Sequence, residues 1–319
     1  MNYHASYGQV LSCSYRNDAN KGYTCGLTIQ NPNGFNNFTE IGGTHLAGKT
    51  NEDVQYVLGV YGSNTTNIPS IICEKFQNAT GIELRIIGID NIDENSLKNC
   101  KQLTYLELYG NKISKIDEKS FIENLELQTL YLNGNQLTIL PENVFANQHK
   151  LITLWLDINK ITDLPENIFI SLRNLDRLDL QNNQIKNLRT KWFENLENLN
   201  YLVLSNNQIE ELPRNVFSSL KKLPIIFLHH NELKVIHSFG ILPNLTEVLL
   251  YINQINALDE KFIDNIGVEL LDVRLNLCAN VNIFDNSTSK QSMRSKLQKC
   301  FDNYKVLYPG NFRKQYFFS

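Results

Sequence analysis

Aliphatic residues recur along the chain at a spacing that neither a single helix nor an alternating strand produces. Leu103, Leu106 and Leu108 are followed by Asn111, and the same four residue types return 24 positions later at Leu127, Leu130, Leu132 and Asn135. The pattern holds at Leu151, Leu154, Leu156 and Asn159, at Leu175, Leu178, Leu180 and Asn183, and at Leu199, Leu202, Leu204 and Asn207. A 22-residue unit opens at Leu223 with Ile226, Leu228 and Asn231, and a 25-residue unit at Leu245 with Val248, Leu250 and Asn253. Upstream, Ala79, Ile82 and Leu84 keep the spacing; downstream, Leu270, Val273 and Leu275 are read in it, giving nine units between Ala79 and Cys278. A short period sustained this far excludes a helical-core or globular arrangement and predicts a solenoid with one short strand per coil.

Counting the first leucine of a unit as position 1, positions 4 and 6 point inward from the strand and positions 3, 5, 7 and 8 point outward, because strand side chains alternate faces. The asparagine at position 9 sits where the chain leaves the strand. Its amide is expected to bond open backbone groups of its own and the next loop, so that Asn111, Asn135, Asn159, Asn183, Asn207, Asn231 and Asn253 form a buried ladder. The ladder position is read as Ile87 in the first unit and Cys278 in the last. A second inward column is aromatic, Phe121, Phe145, Phe169, Phe193, Phe217, Phe239 and Phe262, and is expected to be core on the convex side. The iterated L-x-x-L-x-L-x-x-N-x-L is the leucine-rich-repeat signature. The L-P-x-x-x-F spacing from Leu140, Leu164 and Leu212 to Phe145, Phe169 and Phe217 resembles the 24-residue class of extracellular repeat proteins. The expected fold class is an α/β solenoid, a leucine-rich-repeat horseshoe with a parallel β-sheet on its concave face.

A solenoid exposes apolar core and strand edges at both ends and needs caps. Residues 1–78 read as a β-rich N-terminal cap, with strand-like stretches at 13–15, 23–29 and 54–61; residues 79–278 are the repeats and 279–319 a C-terminal cap. The six cysteines avoid the middle of the chain. Their placement predicts Cys13–Cys25 across two cap strands, Cys73–Cys100 from the core positions both occupy in adjacent coils, and Cys278–Cys300 at the far end; buried free thiols are the alternative. Disulfides require an oxidising compartment, hence a secreted, extracellular setting, although no signal peptide is visible in the numbering. No apolar run is long enough for a membrane span, and a net charge of −3 gives no reason to expect nucleic acid.

The Cys13 to Cys25 element, the segment 54–61, Asn67-Ile68-Pro69, and Phe76-Gln77-Asn78 leading into the repeats resemble the N-terminal region of dipteran leucine-rich-repeat immune proteins of the mosquito type. The resemblance implies an innate-immune protein that binds complement-like or other haemolymph proteins. Members of that family carry a C-terminal coiled coil and an unpaired cysteine for dimerisation. This chain has no heptad region and an even number of cysteines, so the resemblance does not extend to a disulfide-linked dimer.

Candidate chemistry is sparse. The chain has no G-x-S-x-G, Walker, H-E-x-x-H or dinucleotide motif, and is read as no enzyme, with no cofactor. His229, His230, Glu232 and His237 are the nearest thing to a metal cluster, yet the repeat phase sends them to different sides of the coil, so no metal site is expected. Sequons at Asn37, Asn64, Asn78, Asn244 and Asn286 are glycosylation candidates in a chain with 43 asparagines, where chance alone supplies several. The informative residues are those the repeat leaves free on the concave face: Tyr105, Tyr109, Tyr131, Trp155, Asp157, Arg177, Asp179, Tyr201, Phe227, His229 and Tyr251. This surface is rich in exposed aromatics, and Tyr131 with Trp155, then Val203, Phe227 and Leu249, make two apolar strips separated by Asp179 with Arg177. Such surface usually marks an interface, though strand propensity alone also favours aromatic residues there. The expected function is an extracellular protein-binding scaffold with another protein as partner. Self-association, and recognition of a glycan or small ligand, are the alternatives.

Overall fold

A computed structural model describes residues 9–28, 38–59, 65–265, 267, 269–284 and 290–309. The chain divides into two compact units, Met1–Lys160 and Ile161–Ser319, each built from stacked coils of a parallel-sheet β-solenoid. In the first unit the strands Gly81–Glu83, Tyr105–Glu107, Thr129–Tyr131 and Thr153–Trp155 pair in parallel with no register slip, Ile82 beside Leu106, Leu106 beside Leu130 and Leu130 beside Leu154. In the second, Arg177–Asp179, Tyr201–Val203, Ile225–Phe227, Glu247–Leu249 and Leu270–Asp272 do the same. Nine strands thus correspond to the nine counted units. The segments opposite the sheet are mostly turns, with a 3-10 turn at Thr190–Trp192 and one helical turn at Lys261–Asp264. The result is a β-solenoid more than an α/β one.

The leucines at positions 4 and 6 and the seven phenylalanines are all buried. Rings meet along the phenylalanine column in each unit, Phe121 stacked on Phe145 at 6.2 Å in the first and Phe217 edge-on to Phe239 at 5.3 Å in the second. Each ladder asparagine reaches back to the preceding coil, not forward to the next. Asn135 accepts from the Ile113 N–H at 3.0 Å and donates to the Leu108 and Leu132 carbonyls at 3.0 and 2.9 Å. Asn207 repeats this with the Ile185 N–H, Leu180 and Leu204. At the beginning of the row Asn111 gathers the N–H groups of Ile87, Gly88 and Ile89 on one oxygen. Other asparagines stitch coils at the rim: in the second unit, Asn195 and Asn198 donate to the Ile170 and Arg173 carbonyls of the coil before, both at 2.9 Å. Coil stitching therefore accounts for part of the asparagine excess.

Two readings of the pattern need correction at its ends. The last unit is framed by Leu271 and Val273, since Leu271 pairs with Val248, 23 positions earlier; Leu270 is only half-buried and Leu275 is 61% exposed. Its rung is then Asn276, which accepts from the Ile255 N–H at 2.9 Å and donates to Leu250 and Val273, so the ladder does not stop at Cys278. Two aliphatic residues in a row, Leu270 and Leu271, made the frame ambiguous by one strand face. Upstream, strand Tyr56–Gly59 continues the repeat phase one coil beyond Ala79: Val57 pairs with Ile82, and Val54, Val57 and Gly59 stand at positions 1, 4 and 6. Gly59 hides the match, because the Leu84 side chain fills the space its missing Cβ leaves.

The first end is closed by the antiparallel hairpin Gln9–Asp18 and Gly22–Thr28, whose second strand pairs in parallel with Tyr56–Gly59. Cys13 and Cys25 are joined across it, and Cys73, on the short helix Ile71–Lys75, is joined to Cys100 in the next coil, Cα atoms 4.8 Å apart. At the other end, strand Asn282–Phe284 turns antiparallel against Leu270–Asp272, and helix Lys290–Leu307 packs Met293, Leu297, Cys300, Phe301 and Tyr304 inward at helical spacing. Cys278–Cys300 ties this helix to the last coil. The basic aromatic tail from Phe312 onward lies outside the described residues.

Replacing Asn207 by Ala removes one rung and strands the Ile185 N–H and the Leu180 and Leu204 carbonyls in the core. The expected loss is about 1–3 kcal/mol, read as a lower denaturant midpoint at unchanged slope.

Candidate functional site: the sheet face of each unit

On the first unit's sheet face the rings form a continuous row. Tyr56 and Tyr105 lie 6.2 Å apart, Tyr105 meets Tyr131 edge-on at 5.6 Å, and Tyr131 packs on Trp155 at 4.7 Å. Tyr56 reaches Tyr105 across the intervening strand only because residue 81 is glycine; a Cβ there would stand 2.1 Å from the Tyr56 ring. The rings are half-buried by one another, more than the spacing of isolated aromatic positions suggests, and Tyr109 is the more open one at 39% exposure. Two buried carboxylates hold the N-terminal end of the row. Arg85 donates to Glu107 at 2.6 Å and to Glu83 at 3.2 Å, Lys21 pairs with Glu83, and the Tyr105 hydroxyl donates to Glu107 at 2.6 Å. Burial, with the Glu107 bond second, pushes the Tyr105 hydroxyl well above its usual range.

Trp155 and Asp157 follow at positions 5 and 7 of the next strand's coil. Asp157 is 5% exposed and hydrogen-bonded by the Asn133 side chain. Its Oδ1, the Trp155 Nε1 and the Asn133 Oδ1 are all buried without a hydrogen-bond partner in the protein. Burial raises the Asp157 carboxyl above the ordinary carboxylate value, partly offset by its own backbone N–H and by Asn133.

The second unit's face differs. Tyr201 and Phe227 are 6.1 Å apart, and His229 stacks flat on Tyr251, 4.4 Å between centroids, with the Arg274 guanidinium over the Tyr251 ring at 5.9 Å. Arg274 grips Asp272 through Nε at 3.0 Å and Nη2 at 2.6 Å. Asp179 is buried, accepting from the Gln181 N–H, and Arg177 pairs with Asp176. His229 and His230 meet through their Nδ1 atoms at 3.0 Å. His237 sits on a different side of the coil, 2.8 Å from the Tyr304 hydroxyl, which also accepts from Arg214 at 3.0 Å. Burial pushes the Tyr304 hydroxyl up to about 12. These histidines brace rings, and among the described residues no three His, Cys, Asp or Glu side chains are grouped to hold a metal ion.

One column escaped the sequence reading. Position 8 of every counted coil lies in the left-handed region, and glycine or asparagine fills it at Gly110, Gly134, Asn182 and Asn206. Ile86, Ile158, Ile252 and Leu275 occupy it at φ of 53° to 56°, where a branched side chain costs about 1–2 kcal/mol. All four are exposed apolar residues at the edge of the sheet face. Of the sequons, Asn78 and Asn244 are exposed, donating to the Glu52 and Lys221 carbonyls at 3.1 and 2.8 Å; Asn37, Asn64 and Asn286 lie outside the described residues.

Comparison with known proteins agrees with this geometry. The family described as leucine rich repeat matches residues 173–233 and 198–255, and the BspA type leucine rich repeat region, in six copies, matches residues 66–200. The chain is a leucine-rich-repeat protein. No curated protein sequence matches it significantly. Among 434 matching solved chains is an internalin C2 from Listeria monocytogenes, 29% identical over 57% of this chain and 76% of that one, with a TM-score of 0.48. Another is in the Toll–Spatzle complex of Drosophila, 19% identical over 82% of this chain and 38% of that one, TM-score 0.57. The second shows the shared fold.

Burial lowers the pKa of His229, with His230 adding to it, and of His237, with Arg214 adding to it. Both are held neutral in the folded state, so their contribution is complete above the unfolded value near 6.5 and is lost as pH falls through the depressed folded values. The melting temperature should therefore drop as pH falls below about 6.5, and His237→Phe should flatten that drop.

Proposed function

We propose that this chain is an extracellular protein-binding scaffold that uses its sheet faces as contact surface. The observation that carries the reading is the row Tyr56, Tyr105, Tyr131 and Trp155, four adjoining rings on one face of a sheet whose other face already supplies the core. Half-exposed tyrosine and tryptophan are costly to leave wet and are the residue types that anchor protein interfaces. The second unit offers Tyr201 and Phe227 in the corresponding columns, and Tyr251 in the column of Tyr109. Leucine-rich repeats are scaffolds of protein–protein interaction, and the Toll structure holds such a fold in complex with Spatzle, described as a hub in development and innate immunity. An innate-immune role for this chain draws on that likeness and on the resemblance to dipteran immune proteins. Three disulfides favour the extracellular setting, and no described helix is long and apolar enough to cross a membrane. No catalytic role is assigned.

The test is affinity capture from the native fluid followed by titration of the captured protein. Trp155→Ala and Phe227→Ala should each weaken binding at least about tenfold, near 1.4 kcal/mol, with the circular dichroism spectrum unchanged. Equal affinity of both variants and the wild type would remove the sheet face from the interface.

A further inference from the structure

The first unit's sheet face carries three carboxylates, and they are not treated alike. Glu83 has Lys21 and Arg85, and Glu107 has Arg85 and the Tyr105 hydroxyl. Asp157 is buried as deeply as they are, yet no cation lies within ion-pair distance of it among the described residues, and its Oδ1 has no hydrogen bond at all. A desolvated carboxylate without a cation is a strongly unfavourable arrangement, and the fold does not require it: the same position is Arg85, Tyr109 and Asn133 in the three preceding coils. The next residue, Ile158, adds a second cost. It is a β-branched side chain at φ 53°, 50% exposed, in a column where glycine or asparagine would relieve the strain. Two unfavourable choices at consecutive positions, in the same coil as Trp155, are the pattern of a binding site maintained at the expense of stability.

The chemistry of the corner selects its guest. Aromatic faces with one uncompensated carboxylate attract a cation with an apolar stem, and a single carboxylate is too few for a metal ion. We propose that Trp155, Tyr131, Asp157 and Ile158 form the seat for a basic side chain, lysine or arginine, presented by the protein partner: the carbon stem lies along the rings and Ile158, and the charged head meets the Asp157 carboxylate. The seat rests on the reading of the sheet face as a protein-binding surface and assigns that surface its charge preference. The Asn133 amide, already bonded to Asp157, orients the carboxylate.

The protein has two tryptophans, and Trp192 is fully buried with its Nε1 donating to Pro165 at 3.0 Å, so the Trp155 indole N–H resonance reports on the seat with an internal control. Nα-acetyl-lysine methylamide and its arginine counterpart should shift that resonance saturably and leave Trp192 unmoved. Nα-acetyl-norleucine methylamide, which has the stem without the charge, and the glutamate analogue should bind at least about tenfold more weakly. Asp157→Asn keeps the shape, deletes the unpaired charge, and should melt at the same or a higher temperature while losing at least about tenfold in affinity for the lysine probe. Equal binding of norleucine and lysine, equal binding by Asp157→Asn, or no saturable shift would each overturn the seat. With the captured partner, loss in Trp155→Ala but not in Asp157→Asn leaves the sheet-face reading standing and removes the basic guest; no loss in either removes both.

Discussion

Every coil of this protein must turn out of its strand inside a dry core, and the asparagine at that turn is what makes the turn affordable. One amide side chain accepts from a backbone N–H of the coil before and donates to two carbonyls, one in each coil, as Asn159 does with Leu137, Leu132 and Leu156 at 3.0 Å each. No other side chain of that length offers an acceptor and two donors together. The bond fixes the rise from coil to coil, so the strands can register without slip and the leucines at positions 4 and 6 can pack in columns. Because the asparagine bonds backward, each coil is completed by its successor, and the ladder runs as far as Asn276.

The same turn sets a conformational demand one residue earlier. Position 8 must be left-handed, which suits Gly110 and Asn206 and strains Ile158 and Ile252. Close packing adds a second reason for glycine at two of these positions: a Cβ on Gly110 would stand 2.8 Å from the Ile86 side chain, and one on Gly134 would stand 2.9 Å from the Tyr109 ring. Structure thus dictates most residues of each coil, and those that violate its preferences stand out. The unpaired Asp157 and the strained isoleucines sit on or beside the sheet face, where a partner's contacts would offset their cost.

The fold was legible because a period of 24 repeats a single physical solution, and five identical spacings leave no other reading. Legibility failed where the pattern uses a substitute. Gly59 stands at a leucine position whose volume comes from Leu84, so the coil at Val54 was invisible. Leu270 and Leu271 offered two frames, and only the pairing of Leu271 with Val248 chose one. Core positions can also be polar when backbone groups there need partners: Asn124 and Gln148, at the position of Cys100, donate to carbonyls of the coil before, at 3.2 and 2.7 Å. The outward columns could be named from spacing, since strand alternation is local. Which of those residues are satisfied could not, because Glu107 and Asp157 look alike in sequence and differ only in the cations that folding brings to one of them.

Amide hydrogen exchange at the ladder tests the central claim most directly. The N–H groups of Ile113 and Leu137 in the first unit, and of Ile185, Ile209 and Leu233 in the second, donate to an asparagine side chain of the following coil. If the ladder holds the coils in phase, these amides exchange only through the largest openings of their unit, and Asn207→Ala accelerates the Ile185 amide and the two coils it joins before the rest. Slow, unchanged exchange at Ile185 in that variant would show that leucine packing alone keeps the coils stacked and that the asparagine ladder does not govern the fold.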